Sequence, residues 1–150
     1  MHRKHIDDLE GYEGTHKLGG NVDTNGHYDP DVSLEDDPRQ EKWKEQQSIY
    51  GFDSRQTWSL RSTMIELLYE RLIMFMEVST VVDKTCHIFD VREVGLVNGF
   101  GDPVEEMNQE EIIQLLITLC KSWLLDEDES FEISTKIWKL WTIVHPAMWW

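Results

Sequence analysis

Three stretches of the sequence hold residue types that could do chemistry. The first is Asn21-Val22-Asp23-Thr24-Asn25-Gly26, followed by His27 and Asp29. Asn-x-Asp-x-Asn-Gly is close to the opening of a calcium-binding loop, in which alternate residues supply oxygens, a central glycine makes the sharp turn and a bidentate glutamate closes the shell. Here the closing position falls on Val32, the opening residue is a neutral amide, and Pro30 interrupts the outgoing helix. Asn, Asp and Gly are also ordinary turn residues. The stretch is therefore expected to be a turn-rich segment with no metal. The six histidines form no HExxH and no helical pair, so they add no metal site either.

The second stretch is Cys86-His87, a nucleophile beside a base. Residues adjacent in sequence seldom face one another, and catalytic partners are normally brought together by the fold. No GxSxG, P-loop or GxGxxG is present. The glycines of Gly95-Leu96-Val97-Asn98-Gly99-Phe100-Gly101 are not followed by the helix start that phosphate binding needs. No catalytic residue and no cofactor is expected.

The third feature is carboxylate density. Glu66 and Glu70, and Glu106 and Glu110, lie at helical spacing, and Asp126-Glu127-Asp128-Glu129 forms a run. General acid–base catalysis needs two carboxylates in unlike surroundings; these pairs read instead as solvated faces. The run, together with Glu105, Glu106, Glu110 and Glu111, could offer a phosphate-like surface to a basic partner. The chain ends in Trp149-Trp150; two tryptophans are costly in water, so they either fold back on the domain, the commoner outcome, or anchor a partner.

These residues need elements to position them. Residues 1–37 are rich in Gly, Asp and His, and their apolar residues follow no period, so the segment reads as a flexible acidic tail that gains order only on a partner or on the domain's surface. Residues 38–150 read as a helical domain. Asp37-Pro38 suits a helix start, with Trp43, Gln47 and Tyr50 on one face and Gly51 at its end. Asp53 or Ser54 can cap a first turn, and Ser59 can cap or kink into a longer helix. Leu60, Met64, Leu67, Leu68, Leu72, Phe75 and Val78 then form a stripe. Ile65, Tyr69, Ile73 and Met76 widen it, as in a helix that is central in a bundle or meets a second chain. Residues 86–107 lose the helical period and read as a long connection with room for one short helix or hairpin. Asn108 with Glu111 is a capping-box pattern opening a helix with Ile112, Leu115, Leu116, Leu119, Trp123 and Leu124 on one face. Ser130 opens the last helix, with Ile133, Ile137, Leu140, Trp141 and Val144 inward and Pro146 as the stop. The expected fold class is all-α, a small helical bundle with a long, largely irregular acidic N-terminal tail.

Composition narrows the function classes. The formal charge is −15, from 29 acids against 14 bases, and the nearest thing to a basic cluster is His2-Arg3-Lys4-His5. Direct nucleic-acid binding needs clustered Lys and Arg and is disfavoured. An acidic surface suits a basic partner, including the groove of a nucleic-acid-binding enzyme, although net acidity also serves solubility. Two unpatterned cysteines indicate a reducing compartment. The absence of a signal peptide or a bilayer-length apolar run points to the cytoplasm rather than a membrane.

Tyr50-Gly51-Phe52-Asp53-Ser54-Arg55-Gln56-Thr57-Trp58-Ser59-Leu60 and the following Tyr69-Glu70-Arg71-Leu72-Ile73-Met74-Phe75-Met76-Glu77 resemble a widespread family of small, uncharacterised proteins of tailed bacteriophages and prophages. That family has a Gly-aromatic, Asp-x-Trp, Ser/Asn-Leu opening, a helix with a Leu-x-Arg-Leu-x-x-Phe-x-Glu-like run, and a Leu-Trp step in its last helix, matched by Leu140-Trp141. The resemblance covers residues 50–77 and, loosely, 108–142. The chain departs from it at Arg61, where an acid is usual, and in the loop from Val81 to Asp90. It implies a phage origin and a non-enzymatic accessory role; with the absence of a signal peptide or a bilayer-length apolar run, the expected location is the host cell cytoplasm. The expected function is binding and modulation of a host or phage protein through Glu105, Glu106, Asp126, Glu127, Asp128 and Glu129, with Trp149 and Trp150 as apolar anchors. The alternative is a structural or assembly protein that forms homo-oligomers.

Overall fold

The computed structural model describes residues 4–79, 84–125 and 130–148. The chain forms two compact units, Met1–Glu66 and Leu67–Trp150. The division falls inside a helix rather than at residue 37.

The first unit holds α1 (Lys4–Asp7), α2 (Gln40–Tyr50), α3 (Arg55–Trp58) and the start of α4 (Leu60–Val78). Ile6, Leu9, Trp43 and Ile65 are its buried apolar residues. The N-terminal segment, which looked like a tail because its apolar residues have no period, thus contributes two of them. It is also tied down by polar contacts. The Leu18 carbonyl accepts a hydrogen bond from Arg55 Nη1 at 3.3 Å. At Gly19 the chain passes so close to the indole that an added Cβ would lie 2.5 Å from Trp43 Cη2. Only glycine fits there, and its φ of 127° is in the region that disfavours side chains.

α2 begins at Gln40, two residues later than Pro38 suggests, and ends at Gly51 as its sequence predicts. Its inward residue is Trp43; Tyr50, expected on the same face, is exposed beside Phe52. Asp53 Oδ1 accepts the N–H of Arg55 in the turn that leads into α3, Ser54 at the helix start makes no side-chain capping bond, and Ser59 breaks the path between α3 and α4 with φ −137°.

The stripe expected on α4 holds at Leu72, which is buried, and fails at Leu60, Met64 and Val78, which are exposed; Ser62, Ile65, Glu66 and Tyr69 are buried as well. Apolar residues surround this helix, so periodicity leaves its rotation open. Buried hydrogen bonds to Glu66 select the face that is seen.

In the second unit, α5 (Gln109–Leu125) and α6 (Ser130–Val144) pack against one another. Ile112, Ile113, Leu116, Cys120 and Trp123 of α5 meet a core shared with Ile137, Leu140 and Val144 of α6. Ile113 and Cys120 take the inward places expected of Leu115 and Leu119. Burial alone pushes the Cys120 thiol up to about 12. The expected capping box is present: Asn108 Oδ1 accepts Glu111 N–H at 2.8 Å, and Glu111 Oε1 accepts Asn108 N–H at 3.2 Å.

The all-α expectation holds for a predominantly helical chain, but a small antiparallel sheet is added. β1 (Ile88–Asp90) pairs with β2 (Glu106–Asn108) in the register Ile88–Asn108, Phe89–Met107, Asp90–Glu106. The partners of this pairing are too far apart in sequence for local periodicity to reveal.

Candidate functional site

Of the residues expected to meet a partner, Asp126, Glu127, Asp128, Glu129, Trp149 and Trp150 lie outside the described residues. Glu105 and Glu106 are described, and both are exposed. They sit on an arm of the Leu67–Trp150 unit that runs from Ile88 to Asn108.

Local chemistry builds this arm in steps. Asp90 starts a turn by accepting the N–H of Arg92 at 3.0 Å, and its carboxylate also takes the Arg92 guanidinium. The next residues, Arg92–Val94, make one turn of 3₁₀ helix. Val91 and Val94 are buried and root the arm, while Lys139 of α6 donates to the Glu93 carbonyl at 3.2 Å. Val91 N–H returns to Glu105 C=O at 2.9 Å, continuing the β1–β2 pairing.

Beyond the base the two chains stay together. Val104 N–H donates to Leu96 C=O at 2.9 Å, and Val97 bridges Pro103. The tip is closed by Asn98, whose Oδ1 accepts from Phe100 N–H at 2.9 Å and Asp102 N–H at 3.1 Å. Gly101 has φ 82°, which lets the chain reverse there. The glycines that looked like a poor phosphate loop are the bends of a hairpin tip. That tip carries Phe100 at 92 % exposure, with Val97 exposed beside it. Neither was expected as a site residue. The available signal was a phenylalanine set between turn-forming residues in Asn98-Gly99-Phe100-Gly101-Asp102.

The arm is strongly negative. Asp90, Glu93, Glu105 and Glu106 are exposed on it, and Glu110 and Glu111 are exposed in the adjoining first turn of α5. Strand register sets Asp90 opposite Glu106. The Arg92 guanidinium and N–H hold the Asp90 carboxyl down at about 2. Asp90 in turn raises Arg92, and Glu105 and Glu106 add smaller attractions. One cation therefore lies within the field of three acids.

Other carboxylates are structural. Glu66, expected on a solvated face, is fully buried. It accepts the Tyr12 hydroxyl, and Thr15 supplies both its N–H and its hydroxyl at 2.7 Å. These protein donors replace the water that the carboxyl group loses on burial. Asp37 and Asp53 repeat the turn seen at Asp90. Each accepts the N–H of the arginine two residues on and pairs with its guanidinium, with Nη2 at 2.7 Å in both. The Arg39 guanidinium holds the Asp37 carboxyl well below the usual range. Burial would raise Asp53, but hydrogen bonds from Arg55 and Gln47 bring its net shift below the ordinary value. The two guanidinium groups lie over the Trp43 ring at 5.0 Å (Arg39) and 4.4 Å (Arg55).

The stretch that resembles a calcium loop is a small closed hairpin. Val22 bridges Tyr28, and Asp23 Oδ1 accepts Asn25 N–H at 2.8 Å and His27 N–H at 2.9 Å. Among the described residues, no three His, Cys, Asp or Glu side chains gather as a metal would require. Cys86 is exposed, and His87 stacks on Phe89 at 4.4 Å. A cleft in the first unit is lined by His16, Gln47, Asp53, Arg55 and Gln56, but Asp53 is already engaged by Arg55 and Gln47. No helix among the described residues is long and apolar enough to cross a membrane. No protein-family model, no curated protein and no solved structure matches the chain.

Proposed function

We propose that this chain is a non-enzymatic, phage-type binding protein that modulates a basic, nucleic-acid-binding protein in the cytoplasm of a host bacterium. The observation that supports it most is the acidic arm, where Glu105 and Glu106 stand exposed next to Glu110 and Glu111. Carboxylates spaced along a rooted backbone can occupy a groove that otherwise holds phosphates. Asp126–Glu129 would add to this charge, and Trp149 and Trp150 would serve as apolar anchors. The test is retention of host proteins on the immobilised chain at low and high salt, compared with Glu105→Lys/Glu106→Lys. A basic nucleic-acid-binding protein should be captured stoichiometrically, released by salt and lost from the double variant. Capture indifferent to both salt and charge reversal would remove this reading.

An assembly protein is the second reading. It is favoured by Leu60, Met64, Met74 and Val78, all exposed along α4. Apolar residues along the open side of a helix suit a second copy of the chain. Molar mass by light scattering at two protein concentrations tests it: mass should grow with concentration for self-assembly and stay at one chain for an inhibitor.

A further inference from the structure

We propose that the hairpin tip at Val97–Pro103 is an anchor that inserts Phe100 into an apolar pocket bordered by Lys or Arg on the partner protein. This rests on the acidic-binder reading and adds the point of attachment to it. Phe100 is the most exposed of the large apolar side chains described, at 92 %. A phenylalanine on a frayed loop would fold back or move aside, but here the backbone beneath it is closed. Asn98 N–H donates to Asp102 C=O at 2.9 Å and Gly101 N–H to Asn98 C=O at 3.1 Å. The Asn98 side chain takes two further N–H groups, one of them from Phe100 itself. Below, Val97 bridges Pro103, and buried Val91 and Val94 fix the base.

Such a tip loses little freedom on binding, and a phenylalanine has only two side-chain torsions to freeze. An aromatic group seated in a pocket is the usual form of an interface hot spot. The partner's chemistry follows from the residues around the tip. Asp102 lies in it, and Glu105 and Glu106 follow after a few extended residues, on the order of 10 Å along the chain. That is about one Debye length at ordinary ionic strength. A pocket rimmed by acids would be repelled, while one rimmed by Lys or Arg would be drawn in.

The full-length chain carrying the photo-crosslinker p-benzoylphenylalanine at position 100 is irradiated in host lysate. The control carries the same probe at Tyr28, which is also well exposed but lies in the other unit. Expected is one adduct specific to position 100, competed by excess wild-type chain and at least about tenfold less well by Phe100→Ser. The crosslinked partner residue should lie among apolar side chains flanked by Lys or Arg. Glu105→Lys/Glu106→Lys should weaken competition several-fold. Phe100→Ser should keep the wild-type circular dichroism, since the side chain touches little. Equal labelling from position 28, equal competition by Phe100→Ser, a crosslink to a second copy, or no adduct would each overturn the proposal. If any of these occurs while the wild-type chain still captures a basic protein in a salt-dependent way, the anchor fails and the acidic-binder reading stands. Binding that needs Phe100 but ignores the glutamates rejects the basic rim, and with it both statements.

Discussion

Glu66 takes Tyr12 and Thr15 as hydrogen-bond donors at a site closed to water. Removing it would leave the Thr15 N–H and hydroxyl without their acceptor. Glu66→Ala should therefore destabilise the protein by about 2–4 kcal/mol in urea unfolding, and Glu66→Gln by less, because an amide retains one acceptor oxygen. A loss below about 0.5 kcal/mol would show that this carboxylate is not a structural tie. Asp53 and Arg55 are both buried and paired at 2.7 Å. Taking away the acid removes the charge partner of a buried guanidinium, so Asp53→Ala should cost about 3 kcal/mol. The pair also predicts a pH dependence. The Asp53 carboxyl is lowered in the folded chain, as are those of Asp37 and Asp90. Their contribution is complete above the unfolded carboxyl value of about 4 and is lost as pH falls through the folded values. Urea midpoints should drop as pH is lowered from about 5 toward 2, and Asp53→Asn should flatten part of that slope. An equally steep slope in the variant would exclude Asp53 as a source.

At the scale of elements, what the sequence showed best was punctuation. Gly51 ends α2, Ser59 interrupts the path into α4, and Asn108 with Glu111 opens α5, because caps and turns act through neighbours in the chain. Asn108→Ala should cost about 1 kcal/mol and also loosen the strand end that Asn108 terminates. Hydrogen exchange that leaves the amides of 106–112 as protected as before would argue against that coupling. The rotation of α4 was hidden for a different reason. A helix with apolar residues on every side offers several equivalent stripes, and the choice was made by polar side chains elsewhere in the first unit. The reading of residues 86–107 left room for a hairpin, but the β1–β2 register stayed hidden because each strand is only three residues long, too short for an alternating pattern.

For the molecule as a whole, residues 4–37 belong to a compact unit instead of hanging from one, with Ile6 and Leu9 buried and Glu66 holding Tyr12 and Thr15. Deleting residues 1–37 should expose Trp43, redden its fluorescence and lower the unfolding midpoint, and an unchanged midpoint would restore the view of a dispensable tail. The sequence by itself determined the helical class, the main helix ends, the excess of negative charge and the presence of exposed acids at Glu105 and Glu106. These follow from composition and from interactions a few residues long. Only the tertiary structure decided which carboxylates are structural and which face water. It also decided which side of α4 is covered, and that Asn98–Asp102 is a closed tip presenting Phe100. Burial depends on partners distant in the chain: Glu66 is inside because Thr15 reaches it across 51 positions, and no local pattern encodes that meeting.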